Sequence, residues 1–317
     1  MHQLNESPTE NAVLSVLTGT PVEDAARTAR TSPARLAEAV ARYRTAGRAA
    51  LDARPDGWHQ VNIQFAHYPT AAHAFRTHLL SPLSTAPIGT WWFVRKYPHW
   101  RLRVRPAPGA TTAQTLTHIM QAIDRAVSSG AIEHGQLAVY EPETVAFGGP
   151  ASMTIVHDLF HADSIGVLNH LHHATHHTPG TLDTKTASLL LSTLLLRSAG
   201  LEWGEQGDVW GQITVHRPLP EDVDPDRIDD MLPAMQRLLM TDPHPALTDG
   251  PLTPLRDWAT ALQHGGQTLA DAARHGRLHL GLRGILARHI LFHWNRMGFT
   301  TRQQAIWARA AQDAVLG

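Results

Sequence analysis

A change in the pattern of apolar residues near residue 140 constrains the fold of this chain more than any other sequence feature. Before it, from residue 56, short alternating stretches of strand type are interleaved with amphipathic stretches of helix type. Their order is β-α-β-β-α-β, which is that of a split βαβ, or ferredoxin-like, unit. The predicted strands span 58–65, 91–96, 100–105 and 136–140. The predicted helices span 71–80 and 111–129.

After residue 150 the pattern becomes mainly helical. Asp163 and Ser164 are residue types that cap helices, and they are expected to cap the second helix of this half. The segment 203–227 is rich in Gly, Pro and acidic residues, which favours a long functional loop or lid. The expected helices span 151–161, 164–177, 183–198, 228–240, 251–275, 279–297 and about 300–315.

Residues 11–52 read as short helices separated by Gly-Thr-Pro and Thr-Ser-Pro breaks. Their spacing fits a helix-turn-helix or a small helical appendage, and the weakly basic composition favours the appendage. The predicted fold class is therefore α+β, with N-terminal short helices, a ferredoxin-like split βαβ unit and a mainly helical C-terminal half. We expect two domains, at 1–55 and 56–317.

The composition excludes several classes of protein. Lys and Arg number 27 and Asp and Glu number 28, so the formal net charge is −1, whereas a general nucleic-acid binder is usually basic. The absence of Cys excludes disulfides, a thiol nucleophile and thiolate metal ligands. The N-terminus lacks an apolar signal segment, and the most apolar run, 187–196, is too short to span a bilayer. We therefore expect a cytoplasmic protein without nucleic-acid or membrane partners, and the sequence does not indicate its oligomeric state.

The strand HWRLRVR carries a row of basic side chains. Because side chains alternate along a strand, Arg101, Arg103 and Arg105 share one face, while Leu102 and Val104 point the other way. Guanidinium groups in a row repel one another unless they face water or an anionic partner. The pattern fits equally a groove for a carboxylate or peptide carbonyls and a solvated face with local acidic partners.

The loop YEPETVAFGG follows the last predicted strand, at a position where loops commonly carry function. Tyr140, Glu141 and Glu143 are its chemical groups, and Gly148-Gly149 allows positive φ and a close approach of the backbone. The loop is either part of a site or a plain strand-to-helix connection whose acidic residues pair with the basic strand.

Histidines are numerous, but their spacing does not predict a metal site. His157 and His161 are one helical turn apart, as in some zinc sites, yet no HExxH pattern or third ligand accompanies them. The tract His170–His177 fits a solvated helix face or a loop end better than a zinc site. No phosphate loop, nucleophile elbow or dinucleotide fingerprint is present, so we expect no cofactor.

The stretch HILFHWNR lies near the end of an apolar helix. His293, Trp294, Asn295 and Arg296 could reach a buried site from there. The alternative is a helix C-terminus, which favours cations through the helix dipole.

An ordered set of motifs resembles the C-terminal elimination domain of lantibiotic-type dehydratases over residues 56–317. The set comprises WWFVRK, HWRLRVR, YEPETVAFGG, LFHADS, EQGDVW and HWNR. In this family's elimination enzymes, glutamate is removed from glutamylated Ser or Thr. The resemblance maps an Arg pair of the family onto Arg101 and Arg103 and a Glu onto Glu143, whereas an Arg, a Tyr and a His of the family pattern fall on Ala146, Phe147 and Leu291.

These departures favour the related stand-alone thiopeptide pyridine synthases. Such enzymes join two dehydroalanines in a formal [4+2] cycloaddition and expel water and the leader peptide. The resemblance implies a partner peptide that carries thiazoles, dehydroalanines and a leader. From the predicted architecture, we expect the leader to bind as an added strand along an edge strand or a helical groove of the split βαβ unit. The alternatives are a glutamate-eliminating lyase and a leader-binding module that uses helices 11–52.

The site residues that this resemblance implies fall into two groups, catalytic and substrate-binding. Tyr140, His157 and His293 are expected to act as acids, bases or orienting groups, and Arg101 and Arg103 to polarise the substrate. The expected substrate-binding residues are His99, Glu143, Trp91, Trp92, Trp294 and Asn295. We expect neither metal nor organic cofactor.

Overall fold

The computed structural model describes residues 8–52, 57–176 and 181–317, and it has the predicted α+β fold. The chain divides into two compact units, 1–56 and 57–317. In the first unit, three helices enclose a small apolar core. They are α1 (Pro8–Leu17), α2 (Val22–Thr28) and α3 (Pro33–Asp52).

The second unit begins with the β-α-β-β-α-β order that the sequence predicts. Its four strands form one antiparallel sheet in the order β2-β3-β1-β4, so that β3 separates β1 from β2 as in a split βαβ unit. The elements are β1 (His59–Phe65), α4 (Ala71–His78), α5 (Leu80–Leu83), β2 (Ile88–Lys96), β3 (His99–Pro106), α6 (Thr112–Ser128) and β4 (Ile132–Ala138).

The two faces of the sheet differ in chemistry. On the apolar face, Phe93 stacks on Trp100 with ring centroids 4.6 Å apart, and Phe75 from α4 packs against both rings. On the opposite face, Arg103 lies directly across from Trp92 of β2, as the alternation along HWRLRVR predicts. The polar face is the one that the C-terminal helices approach.

The C-terminal half is helical, and two of its helices, α7 and α14, contact strand β2. Within the described residues, no helix combines the length and hydropathy that crossing a membrane would require. The helices are α7 (Pro150–Thr175), α8 (Thr184–Ser198), α9 (Trp203–His216), α10 (Pro225–Asp229), α11 (Leu232–Met240), α12 (His244–Asp249), α13 (Arg256–Arg274), α14 (Leu282–Met297) and α15 (Thr301–Leu316).

The prediction of a loop or lid at 203–227 is wrong for its first half, which forms α9. Glu202 and Glu205 form a capping box at the start of this helix, so the acidic residues there stabilise a helix rather than a loop. Gly207 lies against Leu316 of α15, and a Cβ at this position would overlap that side chain. The glycine therefore serves close helix packing.

The prediction that Asp163 and Ser164 cap a new helix is also wrong. Both are buried in the middle of α7, which runs without a break from Pro150 to Thr175. The Asp163 carboxylate accepts hydrogen bonds only from α13 and α14 among the described residues, which local sequence could not reveal. The Ser164 hydroxyl donates to the Phe160 carbonyl of its own helix and accepts from the Phe93 amide of β2. Strand β4 begins at Ile132 instead of residue 136, because its largely exposed edge position weakens the apolar alternation.

Helices α7 and α13 pack closely because each presents a glycine to the other. A Cβ at Gly166 of α7 would overlap the indole ring of Trp258, and a Cβ at Gly265 of α13 would overlap Leu159. Neither glycine has positive φ, so the requirement is for space rather than for an unusual backbone conformation.

We expect Gly166→Ala to lower the free energy of unfolding by roughly 1–3 kcal/mol, because the added methyl group must push Trp258 out of its place. Gly204→Ala in α9 is the matched control, since no atom of the described residues, apart from its immediate surroundings in the helix, lies within 4 Å of its Cβ position. There the helix propensity of Ala should leave stability unchanged or raise it by up to about 1 kcal/mol. Urea denaturation measures both, and equal effects would contradict the packing argument.

Candidate active site

Side chains of α7 and α14 cover the outer edge of strand β2. The Nδ1 atom of His161 lies 2.7 Å from the Trp91 carbonyl oxygen, and the Phe93 amide donates to the Ser164 hydroxyl at 3.2 Å. Arg296 donates from Nε to the Phe93 carbonyl at 3.0 Å. These contacts satisfy backbone groups that an edge strand would otherwise expose. They also fix α7 and α14 against the polar face of the sheet.

The fixed helix α7 places His157 beside Tyr140, which follows strand β4. The Tyr140 hydroxyl and the His157 Nε2 atom are 2.7 Å apart, and both residues are buried. Trp58 packs on the histidine ring with centroids 4.5 Å apart, and Trp92 lies on the same side of the sheet at 6.2 Å. The result is a hydrogen-bonded pair with apolar walls.

The surroundings of this pair keep both groups uncharged at neutral pH. Burial lowers the pKa of His157 to about 4, and the cations Arg105 and Arg103 contribute in the same direction. Burial also raises the pKa of Tyr140 above its ordinary value, although Arg103 opposes that rise. A neutral phenol and a neutral imidazole in contact can donate a proton at one end and accept one at the other.

Arg103 lies beside the same pair, and one of its N–H donors has no hydrogen-bond partner among the described residues. Its Nε donates to Gln60 Oε1 at 2.9 Å, and its guanidinium lies 4.2 Å from the centre of the Trp92 ring. The Nη1 atom is buried and has no hydrogen-bond partner among the described residues. Burial lowers the pKa of Arg103 to about 9, so the group remains largely cationic at neutral pH. A buried cationic donor without a partner can polarise a carbonyl oxygen.

The space between these groups is small. It measures about 20 Å³, which is enough for one water molecule. Its rim carries the exposed Glu143, which forms an ion pair of 3.7 Å with Arg288 of α14. The residues that line it are Trp92, Arg103, Tyr140, Glu141, Glu143, Phe147, Met153, Phe160 and Phe292. A peptide would therefore lie over the opening and insert a single group.

The loop that carries Tyr140 and Glu143 ends at two glycines with positive φ, 81° at Gly148 and 101° at Gly149. A Cβ on Gly149 would overlap the ring of His279, and the His279 amide donates to the Gly148 carbonyl at 2.9 Å. The prediction that this Gly-Gly step permits positive φ and a close backbone approach is confirmed. The step leads directly into α7.

A second cluster lies deeper in the fold, around Asp163. Its Oδ1 accepts from Trp258 Nε1 at 3.0 Å and from His293 Nδ1 at 2.8 Å, and its Oδ2 accepts from Arg296 Nη1 at 2.6 Å. The other ring nitrogen of His293 lies 2.8 Å from the Ser188 hydroxyl. Burial by itself would raise the pKa of Asp163, but His293 and Arg296 outweigh it and hold that pKa well below its usual range.

The Asp163 cluster resembles a Ser-His-Asp relay in its distances, but Ser188 has no exposed surface. Its hydroxyl also receives a hydrogen bond from Trp294 Nε1 at 3.1 Å. A nucleophile must reach its substrate, and this hydroxyl is enclosed. We therefore assign the cluster to holding α7, α8, α13 and α14 together.

His289 is the most strongly perturbed histidine of the helical half. Its ring stacks on Phe160 with centroids 5.3 Å apart, and neither ring nitrogen has a hydrogen-bond partner among the described residues. Burial lowers its pKa to about 3, with Asp163 opposing the shift and Arg296 and His293 adding to it. The folded protein therefore holds this histidine neutral.

We expect the free energy of unfolding to decrease as the pH falls from about 6.5 towards 4. Over this range the unfolded chain binds protons at His289 and His157, whereas burial disfavours protonation of both rings in the folded state. Each should account for up to about 2 kcal/mol between pH 6.5 and 5. His289→Leu should remove the part of this pH-dependent loss of stability that His289 causes. His264→Leu, at an exposed position of α13, should leave the pH dependence as it is in the wild type. Urea denaturation at pH 7 and pH 5 tests this, and an identical pH dependence in both variants would contradict it.

Five of the residues predicted from sequence come together in the structure. Trp92 and Arg103 meet as cross-strand partners on the polar face of the sheet, and Tyr140 and Glu143 lie on the loop that faces them. His157 completes the group from α7.

Three further predicted residues lie on the sheet away from this group. Arg101 and His99 share the polar face with Arg103, but they lie farther along β3 and are partly exposed. Trp91 belongs to the apolar face, where its ring packs against Phe75 with centroids 5.8 Å apart. Contact of these residues with a substrate stays a prediction.

The three predicted residues of α14 are engaged in the helical core. His293 binds Asp163, and Trp294 is fully buried beside Trp210, with ring centroids 6.0 Å apart. The Asn295 side chain accepts a hydrogen bond from Gln304 at 3.1 Å. These contacts stabilise the helical core. A role of the three residues in catalysis or substrate binding stays a prediction.

The histidine tract lies on the last turns of α7. The rings of His172 and His176 pack against each other at an interplanar angle of 50°, with centroids 4.2 Å apart, and His177 lies outside the described residues. The described part of the chain contains no group of three or more residues that could hold a metal ion.

Several residues of the site escaped the sequence analysis. Gln60 becomes a neighbour of Arg103 only through the pairing of β1 with β3. Trp58, which directly precedes β1, contacts His157 of α7. Arg288, which pairs with Glu143, comes from a helix far away in sequence. The one available signal was strand alternation, which places Gln60 and Trp58 on one face of β1 without showing what they contact.

A comparison with models of known protein families identifies the family of this chain. A sequence model described as "Lantibiotic biosynthesis dehydratase C-term" matches residues 58–315. No curated protein sequence matches the chain.

Solved structures with a similar fold include two proteins of comparable length. The pyridine synthase TbtD from thiomuracin biosynthesis has a TM-score of 0.61 at 13% identity, covering 81% of this chain and 97% of its own. The protein TsrL has a TM-score of 0.52 at 14% identity, covering 81% and 98%.

The tRNA-dependent lantibiotic dehydratase MibB from Microbispora sp. 107891 has a TM-score of 0.56 at 18% identity. The match covers 82% of this chain but only 28% of that larger protein.

Proposed function

The chain belongs to the lantibiotic biosynthesis dehydratase C-terminal family, and from this premise we propose that it is a pyridine synthase of thiopeptide biosynthesis. Its substrate is a ribosomal precursor peptide that carries thiazoles, two dehydroalanines and a leader. The observation that carries the proposal is the neutral Tyr140–His157 pair beside a cationic donor of Arg103 that has no partner in the described parts of the chain.

The proposed reaction first forms two carbon–carbon bonds. The amide preceding one dehydroalanine tautomerises, so that its nitrogen loses a proton and its oxygen gains one, and a 2-azadiene results. The methylene carbon and the hydroxyl-bearing carbon of this azadiene bond to the two alkene carbons of the other dehydroalanine. The six-membered ring then loses water and the leader as its carboxamide, which leaves an aromatic pyridine without any net oxidation.

The site residues suit this sequence of proton transfers. Tautomerisation needs a group that accepts a proton and a group that donates one, and the hydrogen-bonded Tyr140–His157 pair supplies both while uncharged. The Nη1 atom of Arg103, which has no hydrogen-bond partner among the described residues, would donate to the oxygen that develops alcohol character. Holding two distant parts of one peptide together supplies much of the remaining rate.

The sequence departures at Ala146 and Leu291 support ring formation over glutamate elimination. An eliminating enzyme needs a cation for the leaving carboxylate and a base for the α-proton. One observation still favours the lyase as a second candidate, because Arg288 lies 3.7 Å from Glu143 and could replace the missing loop cation. A substrate comparison must therefore decide between the two.

The leader is proposed to add as a strand to the edge of β4. The other edge of the sheet, β2, is covered by His161, Ser164 and Arg296, whereas β4 pairs only with β1 among the described strands. Val139, next to β4, is 82% exposed and offers an apolar contact to a peptide. Crosslinks from leader residues to helices 183–317 alone would contradict this placement.

Two peptides offered separately to the purified protein test the proposed function. The first carries a leader, thiazoles and two dehydroalanines, and the second carries a glutamylated Ser. Conversion of only the first, with a new pyridine absorbance, supports the synthase. Conversion of only the second would establish the lyase and overturn the proposal, and conversion of neither would favour a leader-binding role.

A further inference from the structure

A second cavity, separate from the residues around Tyr140, lies between helices α7 and α13 and the segment that precedes α13. Its volume is about 290 Å³, compared with about 20 Å³ for the space beside Tyr140 and Arg103. This volume is close to the lower end of the range for small-molecule sites. Apolar side chains provide most of the lining, and a few polar groups interrupt it.

The first polar group is His161. Its Nδ1 atom lies 2.7 Å from the Trp91 carbonyl oxygen and 3.5 Å from the Trp91 amide nitrogen. The carbonyl is much the closer group and can only accept, so we assign the proton to Nδ1. In the neutral ring, Nε2 then has a lone pair. Because His161 also lines the cavity, it offers an acceptor there for an N–H group.

The second polar group is His170, two turns further along α7. It is 2% exposed, lines the cavity, and its buried Nε2 has no hydrogen-bond partner among the described residues. Burial lowers its pKa, which keeps the ring neutral. A buried polar atom without a partner is costly unless something else binds it.

The flat wall of the cavity is the indole ring of Trp258. Its Nε1 donates to Asp163 at 3.0 Å, and Gly166 provides the space that lets the ring lie against α7. The ring of His170 is 6.3 Å away between centroids. The hydrogen bond and the close packing hold this surface in place before any ligand arrives, which reduces the entropic cost of binding.

We propose that this cavity is an anchoring subsite for a neutral, flat heteroaromatic ring with one ring-nitrogen acceptor and an adjacent amide N–H. His170 Nε2 donates to the ring nitrogen, His161 Nε2 accepts from the amide, and Trp258 provides the apolar wall. This assignment rests on the proposed function for its natural ligand, which is a thiazole of the precursor peptide outside the two reacting dehydroalanines.

Charge and position agree with this ligand. Asp257 is the one carboxylate among the described residues of the lining, and it is exposed, so an anionic ligand is disfavoured while the interior remains apolar. His161 follows His157 by one helical turn, about 6 Å along α7. A ring bound at His161 would therefore lie one turn of α7 away from the position that carries His157.

The test uses thiazole-4-carboxamide as the probe and the full-length ¹⁵N-labelled protein as the receptor. The nine Trp residues give indole N–H signals, and the Trp258 signal is the one absent from Trp258→Phe. Titration should shift this signal with a dissociation constant of about millimolar. Cyclopentanecarboxamide, which has the same ring size without aromaticity or a ring nitrogen, should bind at least about tenfold more weakly.

Ala162→Phe should fill the cavity and weaken probe binding at least about tenfold, because Ala162 is part of the lining. The matched control is Ala113→Phe, at an exposed position of α6 outside this lining, which should leave binding unchanged. His170→Phe keeps an aromatic ring but removes the donor, and it should reduce the preference for the thiazole over the cyclopentane.

Unchanged binding in Ala162→Phe, or equal affinity for both probes in the wild type, would overturn the subsite. If Ala162→Phe does not fold, His170→Phe decides. Probe binding does not depend on turnover, so failure of this inference is distinguishable from failure of the proposed function. A protein that forms pyridine but shows no signal shift at Trp258 would refute only the subsite.

Discussion

Asp163→Asn is expected to lower the free energy of unfolding by about 3–5 kcal/mol, because it leaves the buried cation of Arg296 without its counter-charge. The carboxylate also accepts from Trp258 and His293, and the amide of Asn can accept at only one of its two polar atoms. The loss should appear in urea denaturation as a lower midpoint with an unchanged slope.

Asp158→Asn is the matched control, since it makes the same substitution in the same helix at an exposed position. It should change stability by no more than about 0.5 kcal/mol. The double variant Asp163→Leu/Arg296→Met removes both charges, and it should be more stable than Asp163→Asn, because no uncompensated ion remains buried. An Asp163→Asn protein as stable as the wild type would contradict the assigned role of this cluster.

Tyr140→Phe and His157→Gln are each expected to lower kcat for pyridine formation by about 10²- to 10⁴-fold, because each removes one end of the proton-transferring pair. The combined variant should lose little more than either single one, since the two groups act as a unit. Single-turnover assays by mass spectrometry measure the rates, and circular dichroism checks that each variant is folded.

Tyr97→Phe serves as the control for the loss of a phenol, because Tyr97 is 80% exposed in the turn between β2 and β3. Its kcat should equal that of the wild type. Full activity in Tyr140→Phe would remove this pair from the mechanism. A loss of activity that follows loss of fold, rather than loss of the hydroxyl, would also count against the assigned role.

Strand alternation and helix signals were sufficient to predict the sheet half of the fold. The residues of HWRLRVR divide between the two faces as predicted, and the glycines at 148 and 149 take positive φ. These features depend on local geometry alone. Local signals also explain why helices α8, α14 and α15 lie close to their predicted positions.

The errors arose where distant contacts override local residue types. Asp163 is of a residue type that often caps helices, but its partners Trp258, His293 and Arg296 come from α13 and α14. Gly207 reads as a loop residue until α15 is placed against it. The same reasoning applies to the site, where the contact between Arg103 and Gln60 requires the strand register.

The central claim is that this protein builds a pyridine from two dehydroalanines. The most direct measurement is the accurate mass of both products after incubation of a leader-bearing, thiazole-containing bis-dehydroalanine peptide with the protein. The account predicts a leader fragment that ends in a carboxamide, and a core whose mass equals that of the substrate less this fragment and one water. An intact leader, or a leader released as a carboxylic acid with no loss of water from the core, would contradict it.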